Sequence, residues 1–304
     1  MIPQPTVMAP ISPSSDWTVD VVGRVWGIAV ARVVSRHQTS PTRCVLRIVT
    51  TSGTELALKV AAESPPGVTG GEHVQHYVAQ LRPGLAAPLQ PMSTGELSAT
   101  VNGCRVTLAD WVVGHPPDSS TAVWSAIGSA LAELHALPPG PRRFALPIPA
   151  VARELDQQAN EYAFGDDFRN LIPRIRALAV VPEATIHGEI NAANTVIGDD
   201  GHVTFLDWDQ AGVGPLSLDL GYPLSCVFLT EGLNWQLTRA EAFYRAYCRA
   251  TTTGLPEPAD IFAAALLHAM RYLYFANRDA RWARIQYAVG HEQELCRALR
   301  SFRP

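Results

Sequence analysis

Lysine is almost missing from this chain. Of 24 basic residues among 304, one, Lys59, is a lysine and the rest are arginines. Charge is sparse in general: charged residues make up 17% of the sequence and the formal net charge is −4. No basic field is therefore available to hold nucleic acid through its phosphates. Cysteine is scarce and dispersed, at Cys44, Cys104, Cys226, Cys248 and Cys296, with no CxxC spacing. An odd, scattered set excludes a disulfide framework and a cysteine zinc site, and is expected of buried thiols in a reducing compartment. Long apolar runs are absent as well. The stretch "IFAAALLHAM" is broken by His268 and followed by Arg271, so it is too short to span a bilayer. The opening "MIPQPTVMAPISPSS" has neither a basic start nor an unbroken apolar stretch, so it reads as a frayed tail over residues 1–15 and not as a secretion signal. A cytoplasmic protein without a membrane partner is expected.

What is present is enough apolar sequence, 47%, to bury a sizeable core in one two-lobed domain or two modest ones. From Trp17 to Val60 the texture is that of β structure, with "GIAVARVVS", "TRCVLRIVT" and "TELALKV" as alternating or β-branched runs. A turn at "TSG" joins the last two, and an Asn-Gly turn joins two further strands around "ELSATVNG" and "CRVTLADWVV". A Pro- and Gly-rich loop, "ESPPGVTGG", precedes one short helical pattern, "EHVQHYVAQL". These elements predict a small antiparallel β lobe with one helix over residues 16–113.

After "GHPP" the pattern turns helical, and residues 114–304 read as a larger, mainly helical lobe. "STAVWSAIGSALAELHAL" is an amphipathic helix with Ser119 or Ser120 as its cap. Two more helical patterns cover roughly 149–163 and 167–178, and everything from about Ser217 to Phe302 reads as helices. The fold class is α+β, with a cleft expected between the lobes and Gly114 in the single extended crossing as a point of hinge closure.

The lone lysine marks a position where a guanidinium will not substitute. At the end of a strand, a compact ammonium suits anionic phosphate oxygens where the broad planar fork of arginine does not fit. Such a lysine needs a fixed counter-charge, for which Glu72 at the start of the following helix comes first and Glu63 second. In the second lobe, "IHGEINAAN" runs into "TVIGDDGHVTFLDWD", where two apolar runs flank an Asp-Asp-Gly turn. The hairpin so formed brings Asn194 at its entrance to Asp207 at its exit. An amide oxygen beside a carboxylate is a hard-oxygen site suited to Mg²⁺, which keeps waters and phosphates as its other ligands. Glu189, five residues before Asn194, would face that ion, orient a substrate hydroxyl and accept its proton.

The ordered set "LALKV", "LADWVVGHPP", "LAELHAL", "HGEINAAN" and "FLDWDQAGVGPLSLDLG" resembles the aminoglycoside phosphotransferase and choline kinase family, within the protein-kinase-like fold. The resemblance covers nearly the whole chain from about residue 20. It implies that Lys59 contacts the α- and β-phosphates of ATP or GTP with Glu72 as its ion-pair partner. It implies too that Ala109 to Val113, including Trp111, hold the purine through backbone groups. His187 would brace the catalytic loop, Glu189 would take the base position, Asn194 and Asp207 would bind Mg²⁺, and Asp219 would support the loop. Asp209 would be a structural acid, and His135 a helix-packing histidine. Two departures stand out. The phosphate-covering segment, "SRHQTSPTR", has no glycine, leaving the hydroxyls or amides of Ser40 and Thr42 to cap phosphates. The base position holds Glu189 where the family pattern has aspartate, and the additional methylene moves the carboxylate by about 1.5 Å.

The acceptor half of the reaction is less marked. A polycationic acceptor calls for a carboxylate lining, but Asp156, Glu161, Asp166, Asp167, Glu231 and Glu241 are interspersed with Arg245, Arg249, Arg271, Arg278 and Arg281. The late aromatics Tyr272, Tyr274, Phe275, Trp282 and Tyr287 are expected in the core, with part of the set walling the acceptor pocket. His73 and His76 lack further ligands at metal spacing and are expected on the surface or between packed elements. The expected activity is transfer of a γ-phosphate to a hydroxyl of a small molecule, such as an antibiotic or specialised metabolite. The alternatives are a kinase-like binding protein impaired in catalysis and a peptide Ser/Thr kinase of natural-product maturation.

Overall fold

The computed structural model describes residues 11, 13–62, 70–143, 148–178, 182–229, 233, 235–273 and 278–303. Glu63, most of the "ESPPGVTGG" loop, Glu231, Tyr274 and Phe275 lie outside them. Contacts divide the chain into two compact units, Met1–Val113 and Gly114–Pro304.

The first unit opens on a helix, α1 (Ser15–Trp26), where β structure was expected from Trp17. Its ends explain it. Ser14 accepts the N–H of Trp17, Asp16 sits in the first turn, Arg24 in the last, and Gly27 closes it at φ +69°. Thr18, Val21, Val22 and Trp26 form its buried face. The density of β-branched residues hid this helical period, and the unit has two helices where one was anticipated. A five-stranded antiparallel sheet follows, built from β1 (Val30–Ser40), β2 (Arg43–Thr50), β3 (Glu55–Ala62), β4 (Ala99–Val101) and β5 (Cys104–Asp110) in the order β1-β2-β3-β5-β4. The second helix, α2 (Gly71–Leu81), lies between β3 and β4 in sequence. Asn102 and Gly103, at φ +52° and +72°, make the tight β4–β5 turn that Asn-Gly is suited to.

Strand alternation gives the sheet two different faces. Leu46, Ile48, Leu56, Leu58, Val60, Val106 and Leu108 point into one core with Val21, Val22 and Trp26 of α1. Ala57, Lys59 and Ala61 point the other way, and cross-strand pairing sets Thr107 beside Lys59 and Arg105 beside Ala61.

In the second unit the described helices are α3 (Thr121–His135), α4 (Ile148–Gln158), α5 (Gly165–Arg169), α6 (Ile172–Arg176), α7 (Leu216–Cys226), α8 (Leu237–Ala250), α9 (Pro258–Tyr272), α10 (Arg278–Gly290) and α11 (Glu292–Ser301). The two patterns expected over 149–163 and 167–178 are broken into shorter pieces, α4 to α6. Ser120 caps α3 by accepting the N–H of Val123. Two small sheets complete the unit: the hairpin β7 (Thr195–Ile197) with β8 (Val203–Phe205), and the antiparallel pair β6 (Glu183–Ile186) with β9 (Gly212–Pro215). The helices α3 and α8 meet closely at Gly128, where a Cβ would stand 2.2 Å from the Phe243 carbonyl oxygen. Gly114 has φ +153°, and a Cβ there would be 2.3 Å from the carbonyl oxygen of Ile197. Beside it, His115 and Ile197 exchange two backbone hydrogen bonds of 2.9 Å. The glycine expected as a hinge is thus required for a close approach to β7. Among the described residues no helix is long and apolar enough to cross a membrane.

Helix α9 carries one buried group that shapes the pH response of the whole unit. His268 is fully buried, its Nε2 donates to the Leu218 carbonyl of α7 at 3.1 Å, and its ring meets Tyr222 edge-on at 4.7 Å. Burial, with the charge of Arg271, lowers its pKa from 6.5 to about 3. The unfolded chain thus binds a proton below pH 6.5 that the native histidine refuses. Stability is full above that value and falls by about 1.4 kcal/mol per unit as the pH drops towards 3. From pH 7 to pH 5, urea unfolding should show a loss about 2 kcal/mol larger in the wild type than in His268→Gln, which keeps a donor but does not titrate. Equal losses would remove His268 from the account.

Candidate active site

The chemistry expected of the second unit gathers in the segment from β6 to the start of α7. Asp219, on α7 and wholly buried, is its anchor. Its two carboxylate oxygens accept the backbone N–H of His187 at 2.7 Å and that of Gly188 at 2.5 Å. His135 Nε2 of α3 lies 3.1 Å from the same carboxylate, and Tyr247 of α8 lies 2.8 Å from His135 Nδ1. A carboxylate only accepts, so Nε2 carries the proton and Nδ1 accepts from the phenol. Burial alone would raise the pKa of Asp219, but these donors outweigh it and hold the carboxyl below its ordinary value. His135 is therefore more than a packing residue: it fixes the acid that fixes the loop.

From this anchor the loop is tied forward. His187 Nε2 donates to the Leu206 carbonyl at 2.8 Å, and its Nδ1 accepts the N–H of Glu189 at 3.3 Å. Leu206 in turn donates its N–H to the Asn194 carbonyl at 2.8 Å, which ties the two ends of the β7–β8 hairpin together. Asn191 caps the turn before β7 by accepting the N–H groups of Ala193 and Asn194. The Nδ2 of Asn194 donates to the Glu189 carbonyl at 3.0 Å, so its donor end is committed and its Oδ1 end is turned away from that bond. Asp207, at the hairpin exit, has φ +59° and ψ +65°. That left-handed backbone is unusual for a residue with a side chain, and such strain concentrates at functional positions.

Glu189 itself is held by a residue the sequence did not link to it. Tyr272, at the end of α9, donates its hydroxyl to Glu189 Oε1 at 2.7 Å, and Tyr222 of α7 donates to Tyr272 at 3.1 Å. Burial pushes the Glu189 carboxyl above its ordinary value. The Tyr272 hydrogen bond opposes that shift, and the charge of Asp207 adds to it. The Asp207 carboxylate and the Asn194 amide oxygen, at the two ends of the hairpin, are hard-oxygen groups of the kind that suit a divalent cation with few protein ligands. Among the described residues no group of three or more His, Cys, Asp or Glu offers another metal site. His73 is mostly exposed, and His76 bonds to Gln80.

In the first unit, Lys59 is half-buried on the face of β3 away from the core. Glu72 forms an ion pair with Arg105 of β5, a residue that sequence reasoning did not single out. Ser98 and the N–H of Gly70 also donate to its carboxylate, at 3.3 and 3.1 Å. Burial would raise the Glu72 pKa, and Arg105 turns the balance so that it is lowered. Ser40 and Thr42 flank Pro41 at the β1–β2 turn, with their hydroxyls 3.3 Å apart. In the segment expected to hold a purine, Ala109 bridges Leu89, and the N–H of Trp111 donates to the Glu55 carbonyl at 3.1 Å. That amide is already committed. The Trp111 ring stacks on His37 and lies under the Arg47 guanidinium at 4.9 Å, while Val113 is 70% exposed.

A cavity of about 290 Å³ opens in the second unit, with Tyr222 and Tyr272 in its wall; Glu189, which Tyr272 bonds, is not among the residues that line it. Of the acids considered for a polycation, the described ones are elsewhere, and Glu231 lies outside the described residues. Asp156 and Asp166 pair with Arg169, Glu241 pairs with Arg245, and Glu161 and Asp167 are exposed.

A small antiparallel lobe and a helical unit with this loop and hairpin define the protein-kinase-like fold. Residues 30–262 match the phosphotransferase enzyme family, and the chain belongs to that family. No curated protein matches it. Among solved structures it is similar to a spectinomycin phosphotransferase, APH(9)-Ia, in complex with ADP and spectinomycin, at 12% identity over 95% of this chain and 99% of that one, with a TM-score of 0.63. It is similar also to the amicoumacin kinase hAmiN in complex with AMP-PNP, Ca²⁺ and Ami, at 11% identity over 93% of this chain and 94% of that one, TM-score 0.67. A third is the macrolide 2'-phosphotransferase MphH from Brachybacterium faecium, at 18% identity over 90% and 96%, TM-score 0.59. At these identities the likeness speaks for the fold.

Proposed function

We propose that the protein transfers the γ-phosphate of ATP, or GTP, to a hydroxyl of a small molecule, with Glu189 as the base. The observation that carries this reading is the Glu189 carboxylate, fixed at 2.7 Å by Tyr272, a residue that also lines a cavity, and raised in pKa by burial and the charge of Asp207. The acceptor hydroxyl would donate its proton to Glu189 as its oxygen bonds to the γ-phosphorus. The bond from phosphorus to the β–γ bridging oxygen breaks, and ADP leaves with the bond electrons. Lys59 of the first unit would contact the α- and β-phosphates. Asn194 Oδ1 and the Asp207 carboxylate would hold Mg²⁺, whose charge offsets that of the phosphates when it is bound. The transition state is loose and asks chiefly for orientation, so a glutamate pinned by a phenol meets the need that an aspartate meets by being shorter.

A cavity of this size favours a small acceptor over a peptide. The test is ADP release from ATP and Mg²⁺ with hydroxylated acceptors present and absent. Acceptor-dependent release with a phosphorylated product is expected. Tight nucleotide binding without any such release would favour the alternative, a kinase-like binding protein.

A further inference from the structure

The turn expected to cover phosphates has its own polar groups already in use. Strands β1 and β2 meet there, with Ser40 paired to Arg43 across Pro41 and Thr42. Pro41 has no N–H to give. The Thr42 N–H donates to Ser40 Oγ at 3.3 Å, and the hydroxyls of Ser40 and Thr42, also 3.3 Å apart, bond to one another. The carbonyls are taken as well. Gln38 donates to that of Ser40, while the N–H groups of Ile11 and Ala62 donate at 2.9 Å to those of Pro41 and Thr42. A covering turn works through backbone amides that glycine lets come close to phosphates. This one can neither offer the amides of its two central residues nor reshape without breaking the bonds that fix it.

The residue that closes the turn brings a different donor. Val45 of β2 pairs with Lys59 of β3, and Arg43 pairs with Ala61. Alternation puts these four on one face, turned away from the core, and burial follows it: Cys44, Leu46, Leu58 and Val60 are buried, whereas Arg43, Val45, Lys59 and Ala61 are half-buried. Arg43 and Lys59 are thus diagonal neighbours on adjacent strands, roughly 7 Å apart at Cβ and within reach of a common group.

We infer that Arg43 is the phosphate-covering group of this chain. Its guanidinium, with the Lys59 ammonium, holds the phosphate chain of the nucleotide where turn amides would otherwise do so. This rests on the nucleotide-binding part of the phosphotransferase reading. A phosphate takes a guanidinium in paired bonds, and two cations on one face meet adjacent phosphates at two points. Side by side on the sheet the two like charges repel, and an anionic chain laid across them turns that repulsion into attraction.

Calorimetric titration of the full chain with ATP, ADP and AMP, each with Mg²⁺, tests this. Arg43→Gln should weaken ATP and ADP by about tenfold to a hundredfold, the worth of a charge-assisted hydrogen bond, and AMP by no more than about threefold. Arg43→Lys keeps the charge without the planar fork and should recover part of the loss. Arg24→Gln removes one charge from α1, which packs on the core side of the sheet, and should change none of the three affinities. The inference is overturned if ATP affinity survives Arg43→Gln, if AMP falls by the same factor as ATP, if Arg24→Gln reproduces the loss, or if the wild type binds no ATP. The two readings fail separately. Arg43-dependent ATP binding without acceptor-dependent ADP release sinks the phosphotransferase reading and leaves the inference standing. Acceptor-dependent release with an ATP affinity indifferent to Arg43 does the reverse.

Discussion

Replacing Glu189 by glutamine should slow acceptor-dependent ADP release by roughly 100- to 10,000-fold, the range for losing a positioned general base. The amide keeps the shape and still accepts the Tyr272 hydroxyl, so nucleotide affinity and unfolding midpoint should stay near those of the wild type. Glu189→Asp is the more telling variant. Shortening the side chain withdraws the carboxylate by about 1.5 Å, too far to keep a 2.7 Å bond to Tyr272. Despite restoring the family residue, it should cost roughly tenfold or more in kcat. Tyr272→Phe, which removes the same hydrogen bond from the other side, should cost a similar factor. Adding it to Glu189→Asp should then cost little more, because the two changes break one contact. Full activity in Glu189→Asp would mean that the backbone adapts and that Tyr272 does not set the carboxylate.

Asp219→Ala should be the most destabilising single change in the second unit, by about 3–5 kcal/mol. The substitution removes a wholly buried carboxylate and orphans the N–H groups of His187 and Gly188 together with the His135 ring. Asp219→Asn keeps the volume but offers one acceptor oxygen where there are two, so it should fall between wild type and alanine. Urea unfolding reads both. A loss under 1 kcal/mol for the alanine variant would show that water or a rearranged loop takes over these donors. Below the ordinary aspartate value of 3.8 the advantage of the wild type should shrink. The native carboxyl holds its charge to lower pH than the unfolded one, so its contribution is lost as pH falls through the native pKa.

Much of this fold could be read because its signals are local. The "TSG" and Asn-Gly turns punctuate the strands, and the serine pair 119–120 announces α3, with Ser120 as the cap. The hairpin between Asn194 and Asp207 follows from two short apolar runs around an Asp-Asp-Gly turn. What escaped was of two kinds. Helix α1 hid because Thr18, Val19, Val21, Val22 and Val25 carry β propensity, and its caps and buried stripe override that preference. The pair β6 and β9 hid because a strand made of Gly, Val, Gly and Pro has no alternation to see. The rest was out of reach for local reasoning. Tyr272 lies 83 residues from Glu189, and Arg105 lies 33 from Glu72. No spacing rule joins such partners; a tyrosine in a run of late aromatics gives no sign that its hydroxyl holds a carboxylate.

Asp219 has a consequence for how the chain moves. Loops are ordinarily where a protein opens first and exchanges its amide protons with water most readily. The amides of His187 and Gly188 sit in a loop by shape, yet both are given to a carboxylate that no solvent reaches. They can meet water only when α7 parts from β6 and the loop. Their protons should therefore be among the last to exchange, and the candidate catalytic loop should last as long as the core around it.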